Sequence, residues 1–398
     1  MLNKPEILFI ATACPFETSG AGKRTIQTAK ALANIGKLKI VFATDRKWSK
    51  TQIKKTKEAF HNAEMIWFSS LPILNCKERI LKTVNPRFLN THGIISTFED
   101  GKRIKELIKN SDVIWIHTLK PANAFRIYNW PRTIIDIDDF PSGFNANIAQ
   151  FAKSRKEQFR RKFNSVIWSR HEALWKERFN CMCVCKDSDK AHFGNSDRVF
   201  VVPNGLEEVK SFKSDCIKSN TKRIGMIGDF KYIANLDGIN WFLKNAWPFL
   251  KKKHPNIRLR LIGNHSFEFS KQTGDHAIEG LGYIEDLTPE LLTWLIMIAP
   301  TRIGGGTSLK VVEGLSYGLP IVATSHGFRG LPIINGENGL IANTGIRFAE
   351  ACSILISDLT LWNSISMAGL KLFQEKYSLE AVEKCISRAV ETCMSLSF

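Results

Sequence analysis

The 398-residue chain has no apolar run approaching the roughly 18 residues that a membrane span requires. Its longest such stretches, near residues 7–13 and 291–300, have the length of buried strands. The first could imitate a signal peptide, but it is short and leads directly into a glycine turn and an amphipathic helix, so a cytoplasmic protein is the expectation. Zinc-type cysteine spacing is missing as well. Of the nine cysteines, Cys181, Cys183 and Cys185 fall in "CMCVC", where one-residue spacing puts the thiols on one strand face as small buried hydrophobes. Zinc sites use two to four intervening residues to turn the chain around the ion, so no metal site is expected. The remaining cysteines are scattered, as in a reducing compartment. No internal repeat or low-complexity segment is present. Nor is there a P-loop: in "SGAGKRT" (19–25) the first glycine of the nucleotide-triphosphate motif would be Glu17, and the residue after Lys23 is Arg24 instead of a Mg²⁺-holding hydroxyl.

Acidic residues are also in short supply, 38 against 56 Lys and Arg, for a net charge of +18. The imbalance belongs to the first half, where residues 1–195 hold 34 basic and 18 acidic side chains. Its densest stretches, "RKWSKTQIKKTKEAF" and "FAKSRKEQFRRKFNSVIWSRHEALWKERF", interleave Lys and Arg with large apolar residues. In the second, Phe151, Phe159, Phe163, Ile167 and Leu174 recur at helical spacing, which describes a basic amphipathic helix. Such a face suits an anionic membrane surface or a solvated cover over an ordinary core. A nucleic-acid backbone is a third reading and is not the expected partner.

What is present is enough for about two domains, with 44% hydrophobic residues. Short apolar strands alternate with helical patterns throughout, the signature of parallel sheets wound by helices. "EILFIAT", "LKIVFAT", "AEMIWFS", "DVIWIHT", "TIIDIDD", "CMCVC" and "VFVVPNG" read as strands of the first half. The second restarts with "KRIGMIGDF", a helix over 237–253, "IRLRLIG", "IEGLGYI", "WLIMIAPT", a helix over 308–317, and "PIVATS". The turn "PNG" (203–205) and the polar stretch to Lys222 mark the hinge.

The segment "IAPTRIGGGTSLKVVEGLSYGLPIVAT" carries the chemistry. Gly304, Gly305 and Gly306 let backbone approach a ligand, and Thr307 or Ser308 can cap the helix that follows. Free N–H groups at a helix start suit a diphosphate, and Lys310 in the first turn adds a positive charge. Glu313 follows on the same face about one turn further along, where a carboxylate can accept from both hydroxyls of a ribose. The alternative is an exposed Lys310–Glu313 pair beside a chain turn. Gly20 and Gly22 form a second glycine turn before a helical stretch, again either an anion site or a tight strand-to-helix connection.

"GGGTSLKVVEGLSYGLPIVATSHGFRGL" resembles the C-terminal signature of the retaining glycosyltransferases of family 4, the exopolysaccharide and lipopolysaccharide subset. The resemblance extends over nearly the whole chain through "PFETSGAGKRT", "IDIDD", "VPNG", "IGDFKYIANLDGINWFLKNAWPFL" and "KYSLEAVEKC". It implies a peripheral or cytoplasmic enzyme with the GT-B fold, two Rossmann-like parallel-sheet lobes with a cleft between them. The acceptor lobe would be 1–203, the nucleotide-sugar lobe 204–376, and a last helix within 377–398 would return to the first lobe. It implies a nucleoside-diphosphate sugar as donor, a glycan or lipid-linked acceptor, no cofactor and no catalytic metal. On this resemblance Gly304–Thr307 with Ser308 meet the diphosphate, Lys310 a phosphate and Glu313 the ribose. Gly20 and Gly22 face the donor phosphates, Gly228 ends the second lobe's first strand, and Lys231 is a phosphate partner. His117 falls where the family has a histidine near the reacting sugar. Lys23, Arg24, Asp138 and Asp139 are acceptor-side candidates, with Lys23 and Arg24 also available to neutralise phosphate and the aspartates readable as general base or as capping groups. Two departures stand out: Gly305 occupies the place of the family's donor-sugar glutamate, and Asp229 replaces its arginine. A non-catalytic basic module with a degenerate nucleotide site is the alternative these departures raise.

Overall fold

Segments such as EILFIA and KLKIVFAT are apolar at successive positions, so both faces of each strand must be covered, as they are in a parallel sheet between helices. The computed structural model describes residues 4–17, 20–70, 76–89, 93–138, 140–150, 152, 154–209, 221–304 and 307–396. The chain divides into two units, Met1–Asn204 with Leu379–Phe398, and Gly205–Ser378.

The first unit runs β1 (Glu6–Ala11), α1 (Gly20–Ile35), β2 (Lys37–Thr44), α2 (Lys50–Ala59), β3 (Glu64–Trp67), β4 (Ser69–Ser70), α3 (Cys76–Val84), β5 (Ile94–Ile95) and α4 (Phe98–Lys109). It continues β6 (Val113–His117), α5 (Leu119–Ala124), β7 (Thr133–Ile137), α6 (Pro141–Gln150), α7 (Arg155–Ala173), α8 (Trp175–Arg178), β8 (Cys181–Val184), α9 (Asp187–His192) and β9 (Val199–Val201). Seven strands pair in the order β3-β2-β1-β6-β7-β8-β9, all parallel. These are the seven strands read from the sequence. Alternation splits them between two cores: Leu8, Ile10, Ile114 and Ile116 on one face, Ile7, Phe9, Val113 and Trp115 on the other. Cys181 and Cys183 share the second face while Met182 and Val184 take the first, so the cysteine-rich segment is a core strand. The two-residue pair β4–β5 is antiparallel and too short to announce itself by periodicity.

The second unit runs β10 (Arg223–Ile227), α10 (Ile233–Asn245), α11 (Trp247–Lys253), β11 (Arg258–Ile262), α12 (Ser266–Thr273), β12 (Ile278–Gly280), α13 (Thr288–Leu291) and β13 (Ile296–Ala299). Then come α14 (Leu309–Ser316), β14 (Ile321–Ala323), β15 (Leu340–Ile341), α15 (Gly345–Ser357) and α16 (Leu359–Lys376). Its sheet has the order β12-β11-β10-β13-β14-β15, again all parallel. The single helix expected over 237–253 starts earlier and is two, because Pro248 has no N–H to continue a helix and sits instead at the start of α11. Gly225, central in β10, lies under the ring of Trp294, where a Cβ would come within 2.3 Å.

The chain then returns to the first unit as α17 (Leu379–Ser395), whose Val382, Ile386, Ala389 and Val390 join Ala29 and Leu32 of α1 over the sheet. Among the described residues no helix is long and apolar enough to cross a membrane.

Candidate functional site

In the second unit the chemistry gathers where β10 and β13 hand over to helices, at the carboxyl ends of parallel strands, the place where such sheets bind ligands. Gly304 has φ +119°, a conformation open to glycine, and its carbonyl accepts from Arg329 Nη1 at 3.3 Å. Gly305 and Gly306 lie outside the described residues. Ser308 occupies the N-cap position of α14 with extended backbone, but its hydroxyl bonds no first-turn N–H, so the expected capping is not made. The buried Thr307 hydroxyl has no hydrogen-bond partner among the described residues. An unpaired buried hydroxyl costs about 1–3 kcal/mol, which a ligand oxygen in this place would recover.

Lys310, one residue into α14, donates to Asn235 Oδ1. Burial lowers its pKa to about 8. Asn235 in turn donates through Nδ2 to the Asp229 carbonyl at 3.0 Å, and it fills the space beside Gly228, where a Cβ would sit 2.6 Å from Nδ2. Gly228, Asn235 and Lys310 therefore form one cluster from two distant motifs. Asn235 was not singled out in the sequence, although it stands seven residues after Gly228 at the start of α10. Arg329, from "SHGFRGL", was not singled out either. Glu313 is half-buried on α14 between the buried Val312 and Gly314. Gly314 allows this closeness to the sheet: a Cβ there would meet Met297 Sδ at 2.7 Å. Tyr317, one turn on, has its pKa raised by burial and further by the charge of Glu313.

Asp229, where the resemblance implies an arginine, is engaged within the protein. Its carboxylate accepts from the Lys231 backbone N–H at 2.8 Å and lies 3.1 Å from His265 Nδ1, and the first of these holds its pKa below the usual range. It closes the β10–α10 turn. The Lys231 side chain is exposed.

In the first unit α1 begins at Gly20, so "GAGK" is helix and not the expected turn. Gly22 is a packing position: a Cβ would lie 2.6 Å from Glu17 O and 2.7 Å from Cys14 O. Lys23 is half-buried. Arg24 is not available to substrate or phosphate. It is fully buried, paired to Asp136 at 2.5 Å, and donates to Val202 O at 2.9 Å and Asn204 Oδ1 at 3.0 Å. Burial opposes its charge, but Asp136 more than restores it, leaving the guanidinium pKa raised. The "DIDD" segment thus spends its first carboxylate on α1. Asp138, half-buried, accepts from Cys185 Sγ at 2.8 Å and Asn204 Nδ2 at 3.3 Å; burial works against its ionisation, but Arg24 keeps its pKa low. Asp139 lies outside the described residues. No three His, Cys, Asp or Glu among the described residues gather as a metal-ligand set.

His117 ends β6 with a ring that is 2% exposed and has both nitrogens unpartnered among the described residues. Burial lowers its pKa, so the ring is neutral near pH 7. The next residue, Thr118, has φ +73°, unusual for a β-branched side chain. An orphaned imidazole beside a strained backbone is the pattern of a functional position.

The two parallel-sheet units with the returning α17 define the GT-B fold. Chains of that fold align over nearly their full length: TarM of S. aureus, solved with Fondaparinux, alpha-GlcNAc-glycerol and UDP, has 13% identity and a TM-score of 0.66 over 97% of this chain and 99% of its own. HepE of Anabaena, solved with UDP and glucose, has 14% identity and a TM-score of 0.61 over 96% and 97%. Residues 221–358, most of the second unit, match the family described as "Glycosyl transferases group 1". An uncharacterized 44.6 kDa protein in the cps region of Klebsiella pneumoniae is 25% identical over 190 residues, 46% of this chain and 49% of that protein. The match spans about half the length of that relative.

Proposed function

We propose that the protein is a retaining glycosyltransferase that moves a sugar from a nucleoside diphosphate to an acceptor hydroxyl in cell-surface polysaccharide or glycolipid synthesis, without cofactor or catalytic metal. The carrying observation is the Lys310 cluster. A largely buried ammonium faced by the neutral Asn235 oxygen, beside Gly304 and the orphaned Thr307 hydroxyl, is built for a dianionic guest. The diphosphate docks on Gly304–Ser308 and Lys310, and Glu313 accepts from the ribose hydroxyls. The bond from the anomeric carbon to the diphosphate oxygen breaks. The departing oxygen, held by Lys310, takes the acceptor hydroxyl's proton as that hydroxyl's oxygen bonds the same face of the carbon. Positioning and electrostatics supply most of the rate. The first unit takes the acceptor, and His117, with a neutral ring and both nitrogens unpartnered among the described residues, is its candidate polar group. HepE and TarM, solved with UDP, support a nucleotide donor, and the cps-region relative supports a polysaccharide setting.

The test is a thermal-shift series with UDP-, GDP-, TDP- and ADP-sugars. One donor at about 100 times its Kd should stabilise the protein by roughly 2.7 kcal/mol, and Lys310→Ala should abolish the shift. No shift with any donor, together with salt-dependent binding to RNA, would instead support the non-catalytic basic module.

A further inference from the structure

Helix α7 is turned inside out. The spacing of its aromatics suits either a core-facing or an outward-facing stripe, and Phe159 is 73%, Val166 61% and Phe163 47% exposed, while Ile167 alone of the expected set on this helix is buried. The two phenyl rings stack on one another in parallel, centroids 6.3 Å apart, on the outer surface. At about 100° per residue, Val166, Phe159 and Phe163 occupy an arc of roughly 60°; Arg155 and Lys162 border it on one side, Lys156 and Arg160 on the other. All four basic residues are exposed. The helix as a whole carries six Lys or Arg and two Glu.

The inward face is polar. Ser165 Oγ donates to Ser142 O at 2.9 Å, and Glu172 accepts from the Ser142 N–H at 2.8 Å, so hydrogen bonds hold α7 to α6 and the apolar stripe is left over. The stripe also has a neighbour. Arg170 donates to the Thr83 and Val84 carbonyls at the end of α3 at 3.0 and 3.4 Å, and the ammonium of Lys82 stands 5.1 Å over the Trp168 ring. On α3, Ile80 and Val84 are again exposed, at 60% and 57%.

We infer that α7, with the adjoining end of α3, is a docking surface for an anionic lipid bilayer. Phe159, Phe163 and Val166 enter the acyl boundary, and the two basic borders lie among the phosphate headgroups. An apolar centre rimmed by cations on both sides is the layout of an interfacial helix, and apolar patches left outside a core mark an interaction site. The aliphatic members decide the class of partner. Val166, Ile80 and Val84 offer a nucleic acid no ring to stack on, whereas acyl chains accept them readily. The inference does not depend on the transferase activity.

The full chain is sedimented with phosphatidylcholine vesicles, with the same vesicles containing phosphatidylglycerol, and, in competition, with soluble polyphosphate and an RNA oligomer. Binding is expected only with phosphatidylglycerol, weakening with salt. Phe159→Ser/Phe163→Ser should lower vesicle affinity at least tenfold, and each Lys or Arg→Gln among residues 155, 156, 160 and 162 about fivefold. Both phenylalanines being exposed, the double variant should melt at the wild-type temperature; Phe159→Leu/Phe163→Leu, which keeps apolar bulk, should retain most of the binding. Equal affinity for both vesicles, no vesicle binding, an unchanged double variant, or tight capture by RNA or polyphosphate that displaces the vesicles would each overturn the assignment, the last in favour of a polyanion site.

Discussion

Asn235 gives Lys310 a neutral oxygen where a buried ammonium calls for an anion, and the depressed pKa of about 8 records that mismatch. On the proposed function a docked diphosphate would remove it and raise the pKa. UDP binding should therefore take up about half a proton at pH 8 and more at higher pH, and affinity should fall as pH rises above about 8. Calorimetry in buffers of different ionisation heat reads both. Lys310→Ala should cut turnover by about 10²–10³-fold, as loss of one preorganised donor does. Glu313→Ala should chiefly raise the KM for donor, by about tenfold, leaving kcat near wild type. Steady-state assay of released nucleoside diphosphate separates the two. Arg24 obeys a different logic, since either Arg24→Ala or Asp136→Asn strands a buried partner and should cost about 3–5 kcal/mol in urea unfolding. Lys310 and Glu313 were legible as candidates because both stand in one local motif. Arg24 was misread because its partner is 112 positions away and nothing local separates a buried guanidinium from a phosphate-facing one.

At the scale of elements, periodicity recovered the strands of both large sheets except β15, since strands buried on both faces leave continuous apolar runs. It failed where tertiary contacts decide orientation. The aromatic spacing of α7 fixed a helix but not the direction of its apolar side, because hydrogen bonds to Ser142 rather than apolar burial seat it against α6. That seat titrates. Burial raises the Glu172 pKa to about 7, so the folded state favours the protonated form. The associated stability, on the order of 3 kcal/mol, is complete below the unfolded value near 4.5 and is lost as pH rises through about 7. Glu172→Gln should flatten this part of the stability profile, as measured by urea unfolding from pH 4.5 to 8. Gly225→Ala would force a methyl against Trp294 and should destabilise the second unit by about 1–3 kcal/mol.

For the molecule as a whole, the excess charge was readable because it is a property of contiguous sequence, whereas the apolar outer face of α7 required the packed first unit. That unit draws on both ends of the polypeptide: Val382, Ile386 and Val390 of α17 cover the sheet begun by β1. Each such side chain contributes about 1.5–3 kcal/mol when buried, so a chain stopped before Leu379 should lose cooperative melting of the first unit while the second unit keeps its own transition. Synthesis proceeds from the amino end. Residues 6–201 must therefore wait, with α1 covering only part of that side of their sheet, until α17 has left the ribosome. The lobe translated second is complete before the lobe translated first, and the nascent first half is the form of this protein with most need of a chaperone.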